Sequence, residues 1–193
     1  MKRKVNFALI NFILKKIGII NGPNLNLLGI REPDVYGHTT FEDYFKDLLI
    51  MLDGRAELLY FQSNVEGLII DKIHEWGFKL DGIILNAGGY SHSSISIADA
   101  VKSVPAKVVG VHISNIYSRE KDRHTDLLQG ACEGNISELG LNGYRLAVLY
   151  LAGLSACFRK FTFSAGKKIK HHTFLIHGSR GFLWFRLKCL SLF

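Results

Sequence analysis

The sequence predicts a doubly wound α/β domain built on a five-stranded parallel sheet, and three observations point to it. Short apolar runs alternate with amphipathic helical patterns through the middle of the chain, the signature of βαβ units. The apolar runs are continuous rather than alternating, as strands covered on both faces should be. The runs at Ile17–Ile20, Gly82–Leu85 and Lys107–Val111 each end in a polar cluster: Asn21 and Asn24, then Asn86 to His92, then His112 to Asn115. In a doubly wound sheet those three ends share one edge, where ligands bind.

The elements follow in order. After Ile20 the chain breaks at Gly22-Pro23 and runs to Gly37 through Asn24, Arg31, Pro33 and Tyr36. Pro and Gly this dense exclude a continuous helix, and connections over about a dozen residues are usually functional. Thr39 and Glu42 give a capping-box pattern ahead of a helix over 41–52, with Phe41, Tyr44, Phe45, Leu48, Leu49 and Leu52 at helical spacing. A strand over 56–61 leads to a helix over 68–76 that turns Leu68, Ile69, Ile73 and Trp76 inward. After the Gly82–Leu85 strand, Ser94 to Ser103 is helical. Lys107–Val111 is the fourth strand, and a polar loop runs from His112 to Asp126. A weak fifth strand over 134–139 precedes a last apolar helix over 143–151. Five such units predict flavodoxin-like winding.

At 193 residues, 48% hydrophobic and 21% charged, the chain suits one soluble domain. Its net charge of +7 is unevenly spread. Of 24 cations, five precede residue 17 and eight follow residue 152, so the middle keeps 11 against all 17 acids, a net of −6. An acidic domain with basic ends is not a uniformly basic nucleic-acid binder. Cys132, Cys157 and Cys189 lack CxxC spacing and suggest neither disulfides nor zinc, so a reducing, cytoplasmic setting is expected. Lys2-Arg3-Lys4 and the apolar run behind it mimic a signal peptide, but Lys15-Lys16 stands where small cleavage-site residues belong. Three segments are therefore expected: a 1–16 extension, a 17–152 domain, and a basic, aromatic-rich tail over 153–193 that is poorly ordered.

No phosphate-cradling glycine loop, metal-ligand spacing, carboxylate pair or loop cysteine is present, and Ser91 and Ser114 lack nucleophile-elbow flanks. What remains is Tyr, Arg, His and amides, a set suited to proton transfer on an oxygen-rich anion. Tyr36 is a poor base at its ordinary pKa of about 10. Arg31, five residues away on the same loop, can favour its phenolate. His112, at a strand end, can give a proton to a departing hydroxyl, and Asn side chains can hold hydroxyls or a water. Taken singly, Tyr36 also reads as an ordinary loop aromatic and His112 as a hydrogen-bonded core residue.

The segments INGPNLNLLGIREPDVYG, YFQSNVEGLIIDKIHEW, DGIILNAGGYSHSSISIADA and VHISNIYSRE followed by RH resemble the type II 3-dehydroquinate dehydratases of the shikimate pathway over residues 17–150. The resemblance implies a flavodoxin-like subunit, trimers assembled into a dodecamer, no cofactor and no metal. It implies anti elimination of water from 3-dehydroquinate through an enolate to 3-dehydroshikimate, a step of aromatic amino acid biosynthesis. By motif position, Tyr36 is the base, Arg31 keeps it ionised, Asn24 holds an enolate-stabilising water and His112 is the acid. Asn86, His92, the Ile113 backbone, Ser114 and Arg123 hold the substrate, and Asp99 reaches an adjacent subunit's site. Neither nucleic acid nor membrane is an expected partner, although a tail mixing cations with Phe158, Phe161, Phe163 and Trp184 could bind RNA or a membrane surface.

The chain departs from the family pattern at several points. Gly110 stands where a Glu usually orients the acid His, NAGGY replaces NPGAY at Ala87 and Gly89, Tyr117 replaces a common His, and Lys121-Asp122 replaces a Glu-aromatic pair. A His112 without its carboxylate is expected to turn over slowly. The rival reading is thus a binding or structural protein on the same scaffold, catalytically weakened by Gly110 and the loop changes; recovery of rate in Gly110→Glu would mark a damaged enzyme rather than a new function.

Overall fold

Residues 14–30 and 39–154 are described in a computed structural model, with the backbone of 176–178 and 181–183. Five parallel strands form in the expected places: β1 (Lys15–Asn21), β2 (Ala56–Gln62), β3 (Gly82–Asn86), β4 (Lys107–Val111) and β5 (Gly134–Ile136). Their order is β2-β1-β3-β4-β5, the flavodoxin-like winding. Two short strands, β6 (Ile176–Gly178) and β7 (Gly181–Leu183), continue the sheet antiparallel beyond β5. They lie within the tail, whose other residues from 155 on lie outside the described residues, as do 1–13 and 31–38.

Four helices cover the sheet: α1 (Phe41–Leu52), α2 (Glu66–Gly77), α3 (Ile95–Lys102) and α4 (Asn142–Leu151). The cap of α1 is one residue later than the capping-box reading: the Thr40 side chain accepts from Asp43 N–H at 3.2 Å. Both i,i+3 pairs satisfy the pattern, and burial decides between them, because Phe41 must open the helix to sit fully inside. Likewise Leu68 does not point inward. It is 50% exposed, lying off the stripe that Ile69, Ile73 and Trp76 define at i, i+4 and i+7. Ser94 caps α3 by accepting from Ile97 N–H at 2.9 Å.

Pleating sends alternate strand residues to opposite layers. Ile17, Ile19, Ile84, Val109 and Val111 pack under α1 and α4 against Phe41, Leu48, Tyr144 and Val148. Ile20, Ile83, Leu85 and Val108 pack under α2 and α3 against Ile69, Ile73, Trp76 and Ile97. Two filled layers hold the sheet rigid. From β1 the chain crosses to β2 on one side and returns to β3 on the other, so the order reverses between β1 and β3. Asn21 and Asn86 end those strands side by side in register.

Candidate active site

The connection after β1 starts with a close backbone approach. Gly22 N–H donates to Asn86 O at 2.7 Å, and a Cβ at Gly22 would stand 2.4 Å from the Ala87 carbonyl oxygen. Only glycine lets the two strand ends touch there. Asn24 then takes a left-handed conformation, φ 67°, with its N–H on the Asn64 side-chain oxygen at 3.0 Å. A 3-10 turn over Leu25–Leu27 follows. This folds the first loop over the ends of β3 and β4 and closes a cavity.

Asn24, Asn86, His92, His112, Ile113, Ser114 and Arg123 all line that cavity, together with Arg119. Seven of the ten site residues expected from sequence are thus brought together. Arg31 and Tyr36 lie outside the described residues. Asp99 does not line the cavity; its side chain is 70% exposed on α3, 3.9 Å from Lys102 Nζ. Among the described residues no group of His, Cys, Asp and Glu could hold a metal ion, and no helix is long and apolar enough to cross a membrane.

Asn86 is committed to structure as well as to the cavity. Its Nδ2 donates to Tyr144 Oη at 2.8 Å, and Tyr144 Oη donates to Asn21 Oδ1 at 2.8 Å. Its Oδ1 accepts from Gly88 N–H at 3.2 Å. One phenol from α4 therefore ties the ends of β1 and β3 together. The Ile113 carbonyl is taken by Gly140 N–H at 3.0 Å, while its own N–H has no partner among the described residues. A free amide beside Ser114 is a ready donor to a carboxylate.

The two imidazoles stack, centroids 6.1 Å apart at 24°. His92 Nδ1 lies 2.7 Å from the Thr125 carbonyl oxygen. A carbonyl only accepts, so Nδ1 carries the hydrogen and Nε2 keeps a lone pair in the neutral ring. His112 is buried, and its Nε2 lies 2.9 Å from Asp126 Oδ2. The expectation that Gly110 deprives His112 of a carboxylate partner is therefore corrected. Asp126, 3% exposed, supplies one from 14 residues further along. The site beside Gly110 is already filled: a Cβ there would meet Asn135 Oδ1 at 1.9 Å.

Sequence reading missed both Asp126 and Arg119. Asp126 closes the polar loop that begins at His112, so its nearness in sequence was visible; the loop's return beneath the ring was not. Arg119 lies four residues before Arg123, on a segment whose two 3-10 turns, Ile116–Ser118 and Lys121–Arg123, bring both to one side. Arg123 Nε pairs with Glu120. Glu120's own backbone N–H and the Arg123 guanidinium hold its carboxyl down to about 2. Elsewhere burial pushes the phenols of Tyr44 and Tyr60 up to about 12, and that of Tyr144 higher still. None of these three suits a base near neutrality.

Fold and site define a doubly wound α/β domain with a small-molecule pocket at its switch point, lined by amides, imidazoles and guanidinium groups. The model of the class II dehydroquinase family matches residues 15–152, and the chain belongs to that family. It is 51% identical over 140 residues to a 3-dehydroquinate dehydratase of Fusobacterium nucleatum, covering 70% of this chain and 95% of the relative. It is 48% identical over 140 residues to one from Caldicellulosiruptor bescii, covering 72% and 97%. A type II dehydroquinase crystal structure from Butyrivibrio crossotus superposes with a TM-score of 0.69 at 44% identity, covering 72% of this chain and 97% of that one.

Proposed function

We propose that the protein is a 3-dehydroquinate dehydratase of the type II class, a hydro-lyase that eliminates water from 3-dehydroquinate by way of an enolate to give 3-dehydroshikimate. The observation that carries this is convergence. Loops after β1, β3 and β4 deliver Asn24, Asn86, His92, His112, Ser114 and Arg123 to one cavity in a chain of this family.

In this reading Tyr36, kept as phenolate by Arg31, removes the proton beside the ketone. Asn24 holds a water that meets the negative charge of the enolate. His112 gives its proton to the hydroxyl as the carbon–oxygen bond breaks, and water departs. Arg123, Ser114 and the Ile113 N–H hold the carboxylate; Asn86 and His92 hold hydroxyls. His92 Nε2, bearing a lone pair, accepts from a hydroxyl. The step needs no cofactor. The reading extends to a cytoplasmic homododecamer of four trimers serving the shikimate pathway, in which the exposed Asp99 meets a neighbouring subunit's site. Support for that extension comes from the family's motifs.

The product is a conjugated enone, so its absorbance reports turnover of the purified full chain directly. His112→Ala and Tyr36→Phe are each expected to lower kcat by at least ~100-fold with circular dichroism unchanged. Unchanged rates in either variant would remove that residue from the mechanism. The weakened-scaffold reading rested on Gly110 and on the loop changes, and the Asp126 carboxylate beside His112 speaks against the first of these.

A further inference from the structure

We propose that Asp126 is the positioning residue of the acid His112, taking over in this chain the task that Gly110 cannot perform. The inference rests on the proposed dehydratase reaction for its kinetic test, but not for its structural one.

Three observations carry it. First, the contact is a buried one: His112 Nε2 and Asp126 Oδ2 are 2.9 Å apart with both side chains below 10% exposure. Second, the carboxylate is itself held in place. Asp126 Oδ1 accepts from Leu128 N–H at 2.9 Å, and the adjacent Leu127 N–H donates to the Ser91 carbonyl at 2.8 Å. Third, the preceding carbonyl, Thr125 O, takes the Nδ1 hydrogen of His92. One dipeptide, anchored on the loop after β3, thus sets both stacked rings.

The chemistry follows from which nitrogen is engaged. A carboxylate accepts, so Nε2 of His112 carries a hydrogen in both ring states. Nδ1 has no partner among the described residues and is the atom whose proton varies. As imidazolium, the ring offers Nδ1–H to the leaving hydroxyl. The proton passes to that oxygen, the carbon–oxygen bond breaks, and the neutral ring keeps Nε2–H on Asp126. The carboxylate holds Nε2–H before and after the transfer and so fixes the ring's orientation and tautomer, without itself taking the proton, as the carboxylate of a Ser-His-Asp triad does. Gly110 has no side chain to compete, and Asn135 Oδ1 occupies the space where one would start.

The test uses the full chain. Asp126→Asn is expected to lower kcat about 10- to 100-fold with KM within about twofold, and Asp126→Glu to recover part of the loss. In a His112→Ala background, Asp126→Asn should lose less than about twofold more. Ring nitrogen NMR of the wild type should show Nε2 protonated and Nδ1 bare in neutral His112, and a mixture of tautomers in Asp126→Asn. Unchanged kcat in Asp126→Asn, or an equal loss with and without His112, overturns the proposal. So does a mixed tautomer in the wild type, which needs neither turnover nor a foldable variant. A wild type with the expected tautomer and no dehydration would instead overturn the functional reading and leave the positioning role standing.

Discussion

Gly110 shows how one residue can change what its neighbours must do. Its missing side chain is compensated by two polar groups that the sequence places far from it: Asn135 fills the space and Asp126 takes the ring. Restoring a Glu at 110 is therefore not a repair. Gly110→Glu alone is expected to destabilise the fold by about 1–3 kcal/mol through overpacking and to lower rather than raise kcat, because Asn135 must leave and a second carboxylate arrives beside Asp126. Urea midpoints and the enone assay on that single variant check both parts. Sequence reading could see that 110 departs from the family pattern. It could not see the compensation, because a hydrogen-bond partner 14 residues beyond His112 and a packing neighbour 25 residues beyond Gly110 depend on how a loop returns.

At the scale of elements, the strands and helices were legible because burial writes its period into the sequence. β4 runs from Lys107 to Val111 as expected, and α1 from Phe41 to Leu52. The misses share a cause. Leu68 and the cap of α1 both offered two equivalent local patterns, and only packing of Phe41 and of the Ile69–Ile73–Trp76 stripe chose between them. Tyr144 makes the same point about the site. It reads as one more apolar helix residue, yet its hydroxyl joins Asn21 and Asn86 across the switch point. Tyr144→Phe is expected to cost about 1–3 kcal/mol, since two buried amides lose a partner. KM should rise because Asn86 lines the cavity. Chemical denaturation and steady-state kinetics measure the two effects separately.

Over the whole molecule, the buried phenols give stability a pH dependence whose sign is fixed. Unfolded tyrosines release their protons near pH 10, while Tyr44 and Tyr60 hold theirs to about 12 and Tyr144 beyond. Between those values the unfolded chain binds fewer protons, so stability falls as pH rises; below pH 10 these groups add no slope. The expected loss at pH 11 is on the order of 1 kcal/mol each for Tyr44 and Tyr144, and less for the more exposed Tyr60. Urea melts from pH 8 to 11, read beside an ultraviolet tyrosine titration, should show stability declining before the late tyrosines ionise. A flat profile through pH 11 would contradict the burial.

The pairing of Arg123 with Glu120 has a consequence for how the cavity fills. A carboxylate of the protein's own sits on the guanidinium, much as a placeholder keeps a seat. The cation is thereby ordered in advance, and on the proposed dehydratase reading the substrate's carboxylate would have to displace this internal one. Glu120 is exposed enough to turn out toward water once displaced, so the exchange swaps one ion pair for another rather than stripping a bare charge of its solvent.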